Sequence, residues 1–179
     1  MTRRLLLLAG IFASLVLPPA AVSAQSPFML AIGGGGSLPL GDFGDAANMG
    51  WHALASVGVS TLMQPLGLRL DVAHNRFGAK GGAGSAGQAI TSGTLNVTYR
   101  LPMTNSPLSP YIIAGAGAYH FQCTGGVSCG TATRFGWNGG LGTKIASLGL
   151  KWFLEGRFHF VDAEPGSVKF APVTLGLIF

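Results

Sequence analysis

Charge is scarce in this 179-residue chain: Asp, Glu, Lys and Arg together make up 9 %, against a usual share of about 25 %. A soluble domain so poor in charge is hard to keep in solution. Eleven Lys and Arg against six Asp and Glu set a formal net charge of +5. The basic residues are scattered, and without a cluster to track phosphates the excess does not describe a nucleic-acid-binding protein. Long hydrophobic runs are missing after the first two dozen residues. No later stretch reaches the roughly 20 apolar residues of a helical span, and no long 3.6-residue period appears after residue 27. Any membrane crossing in that region therefore has to be made of strands. Cysteine is limited to Cys123 and Cys129. Their closeness predicts one local disulfide; a metal site shared with His120 is the weaker alternative, because three loosely spaced ligands are a poor zinc signature. No cofactor motif is present: "GGAGSAG" lacks the Lys-Ser/Thr ending and the strand–helix setting of a phosphate loop.

The opening residues read as an export signal. "MTRR" is basic, "LLLLAGIFASLVL" is apolar, and "AVSA" offers small residues for cleavage between Ala24 and Gln25. The apolar run is short for a helical anchor and Pro18–Pro19 closes it. The expected organisation is a signal peptide over 1–24 and one domain over 25–179. Without Arg3 and Arg4, nine basic residues face six acidic ones, a net of +3.

What is abundant is glycine, with 29 residues, more than twice the average usage of about 7 %. Apolar residues alternate with polar or small ones over long stretches. Eight such segments are predicted as strands: Phe28–Leu38, Trp51–Thr61, Leu66–Asn75, Ala89–Arg100, Tyr111–Phe121, Thr133–Ala146, Leu150–Val161 and Val168–Phe179. Each meets the nine to eleven residues, roughly, that a tilted strand needs to cross a bilayer. In the last one Ala171, Val173, Leu175, Leu177 and Phe179 share a face. In the seventh, Trp152, Leu154, Phe158 and Phe160 oppose Lys151, Glu155, Arg157 and His159.

Aromatic positions indicate which face meets which solvent. Phe28, Tyr99, Tyr111, Trp152 and Phe179 fall near one set of strand ends; Trp51, Phe121, Phe135 and Phe160 fall near the other. Two such belts bracketing Leu, Val and Ala are the girdles of a lipid-facing surface. Connections alternate between short or proline-bearing ones and longer, glycine-rich polar ones, as the two rims of a membrane barrel do. In lipid the sheet has to close without a free edge, so the last strand is expected to pair with the first.

Several of these stretches resemble a known family. "PLGDFGD", "SPYIIAGAGAYHF", "RFGWNGGLGTKI", "FLEGRFHF" and the terminal Phe179 preceded by Val173, Leu175 and Leu177 are similar to strands of the eight-stranded OmpA/OmpX-like barrels of Gram-negative outer membranes. The resemblance implies an all-β, antiparallel, up-and-down barrel in the outer membrane. It also implies contact with lipid and lipopolysaccharide, and folding by a barrel-assembly machinery that reads the last strand.

The face opposite the apolar one supplies a polar lumen set: Arg69, Asp71, Asn96, Arg100, Asn138, Lys144, Glu155, Arg157 and His159. An eight-stranded barrel has an interior just wide enough for side chains, so these charges are expected to form a plug. Arg69–Glu155 and Asp71–Arg157 are the pairs suggested by height along the strands. The expected function is that of a monomeric structural or surface-interaction protein and no enzyme, presenting loops at Leu38–Gly50, Arg76–Gln88, Gln122–Ala132 and Asp162–Ser167. Alternatives are a narrow pore, a secreted lipocalin-like carrier, or a lipid A-modifying enzyme. The last would need a Ser beside its His; the nearest pattern, His52 with Ser56, carries no sign of activation.

Overall fold

The computed structural model describes residues 28–60, 65–81, 86–103, 106–125, 130–147, 149–163 and 166–179. The proposed signal peptide and Cys129 lie outside these residues, so neither the cleavage site nor the Cys123–Cys129 pairing is described. Eight strands run β1 (Phe28–Leu40), β2 (Gly50–Ser60), β3 (Leu66–Gly78), β4 (Gly87–Arg100), β5 (Leu108–Thr124), β6 (Ala132–Ser147), β7 (Leu150–Ala163) and β8 (Gly166–Ile178). Every neighbouring pair is antiparallel and the sheet is a closed barrel in sequence order. Closure is made by β1 and β8, in register from Ala31↔Ile178 to Leu40↔Lys169. Phe179 extends the seam: its N–H donates to Leu30 O at 2.8 Å. No edge is left to expose unpaired backbone groups to hydrocarbon.

The faces are sorted as a bilayer demands. Leu70 and Leu175 on the outside are 55 % and 56 % exposed, whereas Asp71 and Glu155 are 2 % and 1 %. This orientation overturns the soluble-carrier alternative, which needs the apolar face inside and the charges in water.

The strands run further than the apolar periodicity predicts. Pairing of β3 with β4 continues to Gly78↔Gly87, and of β4 with β5 to Gly87↔Thr124. Ladder hydrogen bonds need only backbone, so the barrel wall rises past the point where lipid-facing side chains stop. The four expected outer loops shrink accordingly, to residues 41–49, 79–86, 125–131 and 164–165. The first holds a helix absent from the sequence reading, α1 (Asp42–Ala46), entered through Gly41 at φ 58°, a backbone geometry that favours glycine. α1 lies over the barrel mouth. Phe43 packs edge-on against Phe77 with ring centroids 5.0 Å apart, Ala47 bridges to Ala79, and Asn48 N–H donates to Gly78 O at 2.7 Å.

Two aromatic assignments are corrected. Tyr111 and Phe121, expected in the girdles, are buried inside the barrel. The stretch from Tyr111 to Phe121 carries no Asp, Glu, Lys or Arg, and its one strongly polar side chain, His120, stands on the outward parity beside Thr133, so polarity did not mark the inward face. The interior sets it: Gly115 and Gly117 occupy the inward positions where β5 passes the crowded centre. A Cβ on Gly115 would collide with the Asn96 side chain. Tyr111, Tyr119 and Phe121 share that inward parity. Phe28, Trp51, Tyr99, Phe135 and Phe179 are exposed on the outer wall. Trp152 and Phe160 are half-buried there, Phe160 stacked on Trp137 at 5.4 Å. Val173 and Leu175 are exposed on the same wall, and Leu177 is half-buried.

Candidate functional site

The most concentrated chemistry lies on the barrel axis, where strand alternation aims every second residue of β3 and β7 inward. Arg69 Nε lies 2.9 Å from Asp71 Oδ1, and Arg69 Nη2 lies 2.8 Å from Glu155 Oε1. Arg157 closes the ring, with Nη2 2.6 Å from Asp71 Oδ2 and Nε 2.6 Å from Glu155 Oε1. Two cations and two anions alternate around a cycle, so the group is neutral as a whole. That matters because a lone charge at this depth would cost several kcal/mol, on the order of the penalty for stripping an ion of water. The two cross-lumen contacts coincide with the pairs suggested by height along the strands.

Neutral partners complete the ring. Asn96 Nδ2 donates to Asp71 Oδ2 at 2.9 Å, and Asn138 Nδ2 donates to Asn96 Oδ1 at 2.9 Å. Tyr111 Oη donates to Glu155 Oε2 at 2.7 Å. Glycines on β6 make the room: a Cβ on Gly140 would come within 3.0 Å of Arg157 Cγ. The interior therefore pairs large side chains from β3, β5 and β7 with missing ones on β6.

Above the ring the lumen turns aromatic. Tyr119 Oη is 2.9 Å from His159 Nδ1, and the His159 ring stacks on Phe170 at 4.7 Å. Phe77, Ile90, Phe121 and Val161 fill the level beneath α1. His52 Nε2 lies 2.8 Å from Thr174 Oγ1, and Ser37 Oγ donates to Asn75 Oδ1 at 3.1 Å. The cavity among His52, Asp71, Asn75 and His159 is about 20 Å³, room for about one water.

Two members of the predicted lumen set stand apart from the ring. Arg100, on the inward parity of Asn96, is exposed at the short-connection end of β4, where it lines the lower lumen with Lys144. Lys144 faces inward one level below the ring, its Nζ 3.6 Å from Met29 Sδ and 5.8 Å from the centre of the Tyr111 ring. Residues missed from sequence are those without charge: Tyr111, Tyr119, Phe153 and Thr174 all face the lumen. Phe153 is buried against Ala31 and Leu54. The visible signal was parity with Glu155 and Arg157.

No family model matches the sequence, and no curated protein sequence does either. Solved structures do. Neisserial surface protein A superposes with a TM-score of 0.68 at 18 % identity, over 86 % of this chain and 96 % of that one. The fold is that of an eight-stranded outer-membrane β-barrel. The Yersinia pestis attachment invasion locus protein Ail shares this fold, at TM-score 0.54 and 14 % identity, over 85 % of this chain and 97 % of that one. So does the outer membrane enzyme PagL, at 0.52 and 17 %, over 85 % and 98 %. At such identities the likeness is one of architecture, and outer-membrane barrels of this size include both surface proteins and an enzyme. The lumen therefore has to be judged on its own residues.

Proposed function

We propose that the protein is a closed, non-enzymatic barrel of a Gram-negative outer membrane, acting as a structural or surface-interaction protein through its outer wall and upper connections. The observation that carries this reading is the neutral ring of Arg69, Asp71, Glu155 and Arg157 beneath the aromatic layer. Side chains paired this closely across an eight-stranded interior favour a plugged lumen over an ion path. The outer wall suits lipid and lipopolysaccharide: Lys169 Nζ sits 5.7 Å from the centre of the Phe160 ring, and Arg76 stands opposite Trp51 on the outer face. Both place a cation beside an aromatic belt, where lipid phosphates lie. Residues that a lipid-modifying enzyme would use are turned inward. His52 pairs with Thr174, His159 pairs with Tyr119, and Ser56 faces Asp71 in register. The surface roles in the names of Neisserial surface protein A and of Ail agree with this reading, which further includes a monomer folded by the assembly machinery and a ligand met by the upper connections.

The test is reconstitution of the folded protein into planar bilayers, with fractionation of expressing cells and gel mobility of boiled and unboiled samples. Flat current traces from heat-modifiable protein in the outer-membrane fraction are expected. Steady conductance abolished by replacing Arg69 and Glu155 would establish the narrow pore instead. Altered lipid A acylation in expressing cells would establish the enzyme.

A further inference from the structure

Among the described residues, the ladders between neighbouring strands run without a break, except one. Between β7 and β8 the register runs from Lys151↔Ile178 to Gly156↔Val173 and resumes at His159↔Phe170. Counting through the gap sets Arg157 opposite Pro172 and Phe158 opposite Ala171. The cause lies in the sequence. Leu30 and Phe179 exchange both backbone hydrogen bonds across the β1–β8 seam, and such bonded pairs recur at every second residue of an antiparallel ladder. Val173 and Ala171 therefore turn their backbone groups to β1, while Thr174, Pro172 and Phe170 turn theirs to β7. Pro172 has no N–H, so the ladder bond that Arg157 O would accept is not formed. Proline in a sheet is ordinarily confined to edge strands or bulges, and a closed barrel has no edge.

The gap has the lumen's chemistry directly behind it. Arg157 is a member of the charged ring, with Nη2 2.6 Å from Asp71 Oδ2. Pro172 and Arg157 also wall the cavity of about 20 Å³ bordered by His52, His159 and Thr174. On the lipid side the cover is thin. Gly156 is exposed, and nothing lies within 4 Å of where its Cβ would stand. Ala171 is small, and the Phe158 ring lies 5.9 Å from that of Trp137, on the β6 side. Firm pairing bounds the gap at both ends. Glu155↔Thr174 stands below it and His159↔Phe170 above, the latter with its two rings stacked at 4.7 Å.

We propose that this stretch is a hinge in the barrel wall, where β7 and β8 part before the middle of any other ladder does. Local opening costs least where backbone bonds and packed side chains are fewest, and both are few between Gly156 and His159. The barrel stays closed while the hinge moves, because β1 keeps its hold on β8 through Ser37↔Pro172 and Leu38↔Ala171. Arg157 joins the hinge to the ring: its backbone stands at the gap and its guanidinium contacts Asp71 and Glu155. Motion of the wall thus reaches the charged plug from the side and needs no opening along the axis. The inference rests on backbone pairing alone and is independent of the function proposed above.

The test is amide hydrogen exchange, read by NMR on the folded mature chain in detergent micelles. The amides of Arg157 and His159, which point to β8, are compared with those of Gly117 and Asn138, which by the same alternation bond across the unbroken β5–β6 ladder. Protection of the first two is expected to be lower by at least about tenfold. Pro172→Val supplies the absent donor and keeps an apolar side chain of similar bulk toward the cavity. It should raise protection at Arg157 and His159 by at least about tenfold and leave Gly117 and Asn138 unchanged. If Pro172→Val does not fold, Pro172→Ala is read in the same way. Equal protection of the two sets in the unaltered chain overturns the proposal. So does protection at Arg157 and His159 that a folded Pro172 variant leaves unchanged.

Discussion

Tyr111 on β5 and Glu155 on β7 are joined by a 2.7 Å hydrogen bond that passes over the intervening strand. Gly142 of β6 is in register with both residues. A Cβ there would stand 2.5 Å from Tyr111 Oη. One absent methyl group thus lets a tyrosine reach the charged ring, and several testable consequences come from packing of this kind.

Removing the Tyr111 hydroxyl should leave a buried carboxylate oxygen without its neutral donor. Tyr111→Phe is expected to destabilise the folded barrel by about 2 kcal/mol. Tyr99→Phe, on the exposed wall, should change stability by less than about 0.5 kcal/mol. Urea unfolding in lipid vesicles, followed by tryptophan fluorescence, measures both. Equal effects would place Tyr111 outside the network.

Neutralising one member of the ring uncovers the others. Glu155→Gln leaves Arg69 and Arg157 sharing Asp71 alone, and breaking a buried pair of this type costs about 3–5 kcal/mol. Adding Arg69→Met to Glu155→Gln restores charge balance, so the double variant should be more stable than Glu155→Gln. A double variant less stable than the single one would contradict a neutral, mutually compensating ring.

Filling an inward glycine should fail where filling an outward one succeeds. A Cβ on Gly136 meets Tyr119 Cε2 at 2.8 Å, whereas nothing lies within 4 Å of one on Gly93. Gly136→Val is expected to cost about 1–3 kcal/mol or more through overpacking. Gly93→Ala should stay within about 0.5 kcal/mol. The fraction of protein that keeps its heat-modifiable gel shift reports the difference.

A charge on the outer wall tests the bilayer directly. Leu70 lies mid-strand on β3 and is 55 % exposed. Leu70→Arg should cost about 2–4 kcal/mol in vesicles, as an arginine does near the hydrocarbon midplane. A negligible cost would mean that this face does not meet lipid.

Much of the architecture was legible in the residues. Alternation along "LGLRLDV" and "KWFLEGRFHF" set strand, face and contents together, because each carries charge on one side only and so fixes its own phase. Nothing comparable marks "YIIAGAGAYHF", which holds no Asp, Glu, Lys or Arg and whose His120 stands on the outward side; there Tyr111 and Phe121 were placed on the wrong face. The upper strand ends were underestimated because the apolar signal stops with the lipid while backbone pairing does not. α1 escaped notice because five residues are too few for a helical period.

What the chain determined by itself is therefore the solvent of each face: a period of two with charge on one side and leucine on the other admits closure in a bilayer and little else. Which charges meet was decided by the tertiary structure alone. Arg69 and Glu155, like Asp71 and Arg157, are 86 residues apart, and their contacts exist only because closure of β1 on β8 brings β3 and β7 to opposite walls of one narrow lumen. The depth at which a side chain stands, and the glycine it stands against, are properties of the closed cylinder and of no strand taken singly.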